Sequence, residues 1–291
     1  MLRQRVITAI VLLLVLAASL WVDAAWPFLG LLAVACGCAA WEWLRLTMPA
    51  DKGVWAIAGG IAVFVVCAAL ITNWTGPDDS LGRGPSVWWI NSLIYGVALV
   101  WVAGAIPAVV RGQAQGPGDS VGWSIFGVLA LLAAWIALAL MYLMFSAWFV
   151  VSLLITVWVA DIAAYFVGRA IGKRKLAPRV SPGKTIAGAV AGVAGSVLWI
   201  IASGLAWDNT FGAALIQYWT LPGAFVIAAL IGAISIVGDL FESLLKRRAG
   251  RKDSSGLLPG HGGVYDRVDA ILPVAVCAHT VLVIGAMQGL A

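Results

Sequence analysis

Apolar stretches long enough to cross a bilayer follow one another along most of the chain, with short polar breaks and no long polar domain between them. A spanning helix needs roughly 20 mostly apolar residues. Hydropathy and turn residues together predict nine spans, at about 6 to 22, 26 to 44, 54 to 73, 87 to 109, 123 to 144, 148 to 168, 185 to 206, 220 to 240 and 268 to 288. The fifth and sixth run together with only Ser146 near the join. One helix of that length would be about twice the bilayer thickness, so they are read as two. The expected fold class is therefore all-α, a polytopic integral membrane protein. Five N-terminal spans occupy 1–145, and a four-span region occupies 146–291 with polar loops at 168–184 and 241–267.

Charge gives this pattern a direction. Lys and Arg concentrate in cytoplasmic loops, and with the N-terminus inside, nine spans place 17 of the 18 basic residues inside, leaving only Arg83 outside. Fusing the fifth and sixth spans would push the basic stretch from Arg169 to Lys184 outside, so the charges support the split independently. The C-terminus is then expected outside. Arg3 and Arg5 before the first apolar run resemble the start of a signal peptide, but no convincing small-residue cleavage site follows, so that run is kept as a helix.

Composition excludes more than it adds. Of 291 residues, 63% are hydrophobic and 11% charged, and mean hydropathy is +1.01. A soluble domain cannot bury that much apolar surface. Cys36, Cys38, Cys67 and Cys277 all fall in apolar segments without metal-ligand spacing, so they read as small buried hydrophobes. Many of the 16 tryptophans, among them Trp21, Trp26, Trp55, Trp74, Trp88, Trp123, Trp207 and Trp219, fall near span ends and read as an interfacial belt. The net charge of +5 comes mostly from the two large inside loops. It suits anionic headgroups or a nucleotide rather than nucleic acid.

Five of the 13 acidic residues gather at the inside ends of three spans: Asp161, Asp239, Glu242, Asp266 and Asp269. Ionisable groups at membrane depth are costly and usually functional. Asp239, Glu242 and Lys246 share one helix face, as do Asp266 and Asp269. Carboxylates beside cations suit Mg²⁺ with substrate phosphates, so the inference is a phosphate-transferring site at the inner surface. From spacing alone the alternative stays open that Asp239, Asp266 and Asp269 merely neutralise Lys246, Arg247 and Arg267.

Two loops carry the specific signals. The first runs from Asp161 through Tyr165, Gly168 and Arg169 to Ser181-Pro182-Gly183-Lys184-Thr185. Its GKT ending is not a P-loop, because Pro178 stands where the first glycine is required and no strand is expected before it. A Ser/Pro/Gly turn entering the seventh helix still offers backbone N–H groups and Lys184 to a phosphate. The second loop runs from Ser243 to Asp269, with Lys246-Arg247, Lys252-Asp253 and Pro259-Gly260-His261-Gly262-Gly263, then Asp266-Arg267-Val268-Asp269. Its glycines permit close backbone approach to a ligand. His261 in that turn reads as a site residue, His279 in the ninth span as packing.

This second loop resembles, position by position, the phosphatidate cytidylyltransferase family pattern S-x-[apolar]-K-R, four residues, K-D, then P-x-H-G-G-[apolar]-x-D-R-[apolar]-D. The first loop resembles the family too, and the likeness covers roughly residues 155–272. It departs at Ala187, where the family usually carries an acidic residue before the glycine. The resemblance implies transfer of a cytidylyl group from CTP to phosphatidic acid, in a multi-pass protein of the bacterial inner membrane whose site faces the cytoplasm. It implies Asp239 and Asp266 as ligands of Mg²⁺, with a second cation left open, and Lys246 and Asp269 as further catalytic groups. Asp161, Ser181, Pro182, Lys184, Thr185, Arg247, His261, Gly262, Gly263 and Arg267 are then the substrate- and phosphate-binding set. A homodimer and a lateral opening for the lipid are implied with them. A transporter is disfavoured because the acids sit at one mouth rather than at broken helices in mid-membrane. A CDP-alcohol phosphotransferase is disfavoured because Ala270 follows Asp269; a CTP-dependent lipid kinase stays open.

Overall fold

The computed structural model describes residues 2–76, 86–112 and 114–288. Arg83, expected outside, and the terminal Ala291 lie outside the described residues. Helices α1 (Leu2–Trp21), α2 (Trp26–Thr47) and α3 (Gly53–Trp74) are followed by α4 (Ser86–Val100), which runs on through a π turn at Trp101–Ala105 into α5 (Ile106–Arg111). Then come α6 (Val121–Met144), α7 (Ala147–Ile171), a hairpin of β1 (Lys175–Ala177) and β2 (Ser181–Thr185), α8 (Ile186–Ala206), α9 (Phe211–Arg248), the short α10 (Tyr265–Val268) and α11 (Ile271–Gln288). Among the described residues, eight helices are long and apolar enough to cross a membrane. The apolar stretch of α1, Val6–Trp21, is shorter than these.

The split between the fifth and sixth predicted spans is present. α6 stops at Met144, and Ser146 caps α7 by accepting a hydrogen bond from the Phe149 N–H at 3.1 Å, which supplies the orphan donor of a new helix. α6 is the centre of the bundle, with 72% of its apolar window buried against 28% for α3. Helices α7, α8 and α9 meet through small residues. A Cβ on Gly188 would sit 2.7 Å from the Ala164 carbonyl oxygen, and one on Gly232 would sit 2.9 Å from the Ser196 side chain. Such contacts let apolar helices pack where lipid offers no hydrophobic drive. The two regions of the chain interlock, since α11 packs on α4 and α6 as well as on α9.

Three expectations need correction. The Ser181–Thr185 stretch is a strand rather than a turn, pairing Lys175 with Thr185 and Ala177 with Ser181, so among the described residues the helical fold carries one two-stranded hairpin. Pro182 sits in a two-stranded ribbon, where a missing N–H is tolerated. A strand thus does precede Gly183-Lys184-Thr185, but it is the antiparallel partner of a hairpin, and Pro178 still breaks the P-loop pattern. Residues before the eighth predicted span are also helical: α9 begins at Phe211, capped by Thr210, and breaks at Thr220 (φ 59°, ψ 171°) beside Pro222. Finally, Trp74 is buried and stacks on Trp135 with ring centroids 5.9 Å apart. It belongs to the core, whereas Trp21, Trp26, Trp55, Trp88 and Trp207 are exposed.

Several contacts gather the polar segments at one end of the bundle. The Thr8 hydroxyl in α1 donates to the Pro259 carbonyl at 2.9 Å, Ser120 N–H before α6 donates to the Thr47 carbonyl at 2.8 Å, and Arg247 Nε donates to the Val180 carbonyl at 3.4 Å.

Candidate active site

The last turns of α9 present Asp239, Glu242 and Lys246, and the entry to α11 brings Asp266 and Asp269 beside them. Lys246 Nζ bridges Glu242 Oε2 at 2.6 Å and Asp266 Oδ1 at 2.8 Å. From the hairpin, Lys184 Nζ reaches Asp239 Oδ2 at 2.6 Å. One carboxylate oxygen each from Asp239, Glu242 and Asp269 lies within 4.8 Å of the others. Glu242 is buried, and its Oε1 has no hydrogen-bond partner. A buried acceptor without a donor is expensive unless something else meets it. An all-oxygen donor set with one such atom fits a hard divalent cation.

Asp266, within α10, and Asp269, at its C-terminal end, differ in environment. Burial, reinforced by the neighbouring Asp239 carboxylate, pushes the Asp269 carboxyl well above the ordinary range. Burial would also raise Asp266, but the Lys246 ammonium and the Gly263 N–H outweigh it and hold that carboxyl well below the usual value. Asp266 accepts from the Gly263 N–H at 2.7 Å and the Ser254 N–H at 3.1 Å. It is thus a fixed anion around which the second loop folds, and it adjoins the triad through Lys246, which pairs with both it and Glu242.

The glycines of that loop have structural occupations. Gly262 has φ +82°, and a Cβ there would lie 2.6 Å from Asp266 Oδ2. At Gly263 a Cβ would fall on the Ser254 hydroxyl and at 2.5 and 2.6 Å from the two carboxylate oxygens of Glu42. Glu42, fully buried near the end of α2, was not among the residues singled out from sequence. It accepts from the Val264 N–H at 3.1 Å, the Tyr265 N–H at 2.6 Å, the Ser254 hydroxyl at 3.0 Å and the Ser255 hydroxyl. The one signal for it in the sequence was an acid inside an apolar span.

Two cavities flank this framework. One of about 680 Å³ lies between α7, the hairpin, α8 and α9, and is lined by Asp161, Tyr165, Arg169, Lys184, Thr185 and Asp239. The other, of about 640 Å³, lies against the second loop and is lined by Gln4, Lys252, Asp253, His261, Gly262 and Arg267.

The predicted site residues thus divide into groups. Asp239, Lys184, Asp269, Lys246 and Asp266 converge with Glu242, and Asp161 faces the first cavity across from Lys184 and Asp239. Thr185 caps α8, its Oγ1 accepting from the Gly188 N–H at 3.1 Å, and Ser181 and Pro182 are hairpin residues outside the two cavity linings. Arg247 braces the hairpin through Val180. His261 and Arg267 line the second cavity, where the His261 Nδ1 has no partner.

Clustered carboxylates and lysines at one end of a helical membrane bundle suit chemistry on phosphates, and comparison with known proteins gives the class. The sequence pattern of the Cytidylyltransferase family matches residues 3–284. A phosphatidate cytidylyltransferase of Pseudomonas aeruginosa is 39% identical over 277 residues, covering 93% of each chain. One of Haemophilus influenzae is 32% identical over 281 residues, covering 93% of this chain and 95% of its own. One of Synechocystis is 44% identical over 116 residues, 39% of this chain and 36% of its own. The chain belongs to the cytidylyltransferase family.

Proposed function

We propose that this chain is the enzyme that transfers a cytidylyl group from CTP to phosphatidic acid, giving CDP-diacylglycerol and pyrophosphate in phospholipid biosynthesis. The observation that carries the reading is the meeting of Asp239, Glu242 and Asp269 with Lys184 and Lys246, in a chain similar over nearly its full length to phosphatidate cytidylyltransferases. A phosphate oxygen of phosphatidate attacks the α-phosphorus of CTP, and the bond to the pyrophosphate leaving group breaks. The nucleophile is already an anion, so alignment and charge neutralisation carry the rate rather than proton abstraction.

Lys184 and Lys246 hold carboxylates that entering phosphates displace or share. Arg267, Lys252 and His261 offer cations and donors along the second cavity, and Asp161 orients polar groups in the first. Asp239 and Asp266 are the metal ligands drawn from the family resemblance, and the geometry adds Glu242 and Asp269 beside them. Asp239, Glu242, Asp266 and Asp269 would hold Mg²⁺ there, which would supply positive charge to the phosphate oxygens. Purified protein with CTP, Mg²⁺ and phosphatidic acid should release pyrophosphate. Release of CDP in its place marks a lipid kinase and ends this reading.

On this reading the site lies at the cytoplasmic face of a bacterial inner membrane, with nine spans, the N-terminus inside and the C-terminus outside. The gathering of the basic segments at one end of the bundle supports this. A homodimer and lateral entry of the lipid belong to the same reading; exposed Tyr165 at the first cavity suits the latter. Single cysteines at positions 175 and 251 in a cysteine-free background should resist an impermeant reagent in intact cells, and labelling at 251 would overturn the topology.

A further inference from the structure

Glu42 lies more than two hundred residues from every group that donates to it. Each of its oxygens takes one backbone N–H and one hydroxyl: Oε1 from Val264 and Ser255, Oε2 from Tyr265 and Ser254. A serine hydroxyl can turn and accept, but a backbone N–H cannot. Glutamine has one acceptor oxygen, so its amide N–H₂ would face the N–H of residue 264 or 265 in either orientation. The position therefore selects a carboxylate.

What that carboxylate holds is the frame of Asp266. Ser254, whose hydroxyl it receives, also donates its backbone N–H to Asp266, and Val264 and Tyr265 are the residues immediately before Asp266. Gly263 lacks a side chain where Glu42 and Ser254 sit. The next residue, Trp43, is fully buried with its ring 5.0 Å from Tyr265 and 5.7 Å from Phe241, so the end of α2 is itself fixed against α9 and α10.

We propose that Glu42 is a positioning residue for turnover: as a carboxylate it sets where the 253–266 loop holds Asp266, and through Asp266 the ammonium of Lys246. This rests on the cytidylyl-transfer reading, and wild-type pyrophosphate release tests that reading separately. Against the wild type, Glu42→Gln should lower kcat about 100-fold with far smaller changes in KM, as expected of a misplaced reacting frame. It should also speed amide exchange across residues 250–264. Glu42→Asp, which keeps the charge on a shorter arm, should recover part of kcat at the same thermal stability as Glu42→Gln. The double variant Ser254→Ala with Ser255→Ala keeps both backbone bonds and should lose roughly 3- to 10-fold, in line with removing neutral donors. A folded Glu42→Gln protein with wild-type kcat overturns the proposal, as does a loss matching the loss of folded protein with Glu42→Asp no better. Should Glu42→Gln not fold, the serine variant decides, since unchanged kcat and loop exchange there overturn the proposal. Without wild-type turnover the reaction reading fails, and exchange across 250–264 decides whether Glu42 fixes the loop.

Discussion

The hairpin of β1 and β2 reaches the acidic cluster through one ammonium group, Lys184, whose pairing with Asp239 leaves the two side chains 27% and 32% exposed. The 249–264 loop meets the same cluster at Asp266 of α10, whose side chain is 5% exposed and is held by Lys246, Ser254 and Gly263, with Glu42 behind them. Half-exposed pairs add little to stability and exchange partners readily. A buried anion held by several donors specifies one arrangement. On the proposed function, the difference suits the hairpin lysine to a changing clientele of phosphates, and the loop to holding still while they pass.

Substituting the two aspartates tests this most strongly. Asp239→Asn should lower turnover about 100-fold while stability of the solubilised protein stays within about 1 kcal/mol of wild type. Asp266→Asn should lose turnover to a similar degree and also about 3 kcal/mol of stability, because a buried cation and two N–H groups lose their anion. Thermal melts beside rates at rising Mg²⁺ separate the two. Equal stability loss in both variants would erase the distinction, and near-normal rates with unchanged Mg²⁺ dependence would make the cluster purely electrostatic.

The loop glycines give a finer contrast. Gly263→Ala places a methyl on the Glu42 carboxylate and the Ser254 hydroxyl and should cost about 2 kcal/mol through overpacking. A Cβ on Gly183 in the hairpin meets nothing within 4 Å, so Gly183→Ala should change stability by no more than about 0.5 kcal/mol. Chemical or thermal unfolding of the two variants measures the gap directly. The smallest effect is expected at Ala187, in the first turn of α8, which has no acidic residue. Ala187→Glu should be tolerated without loss of activity and gain about 0.3 kcal/mol from the helix dipole. Loss of folding or of all activity there would show that the hairpin side has packed around the alanine.

Much of this arrangement is legible in the sequence because it is local. Asp239, Glu242 and Lys246 share a helix face by spacing alone, and the Asp266–Asp269 motif sits at a helix entry that hydropathy already marks. The break between α6 and α7 follows from length and charge. What the sequence hides is contact at a distance. Glu42 is one acid near the end of an apolar helix, and nothing local reveals that its donors come from Ser254 to Tyr265. For the same reason Gly263 reads as room for a ligand, when the space is filled by another part of the chain. The hairpin and the 211–219 helix were missed because a Pro/Gly-containing strand and a capped two-turn helix leave weak periodic signals beside long apolar runs.

The break at Thr220 makes the rest of α9 a measuring rod. From Leu221 to Arg248 it rises at about 1.5 Å per residue, so Asp239 stands about 27 Å along it, Glu242 about 32 Å and Lys246 about 38 Å. A hydrocarbon layer of about 30 Å ends among these side chains when the break lies at its far surface. On the proposed topology, α9 would then hand its charged groups to the depth where a lipid's own phosphate resides. The acyl chains would stay in the membrane throughout, and only the small, soluble partner would have to travel.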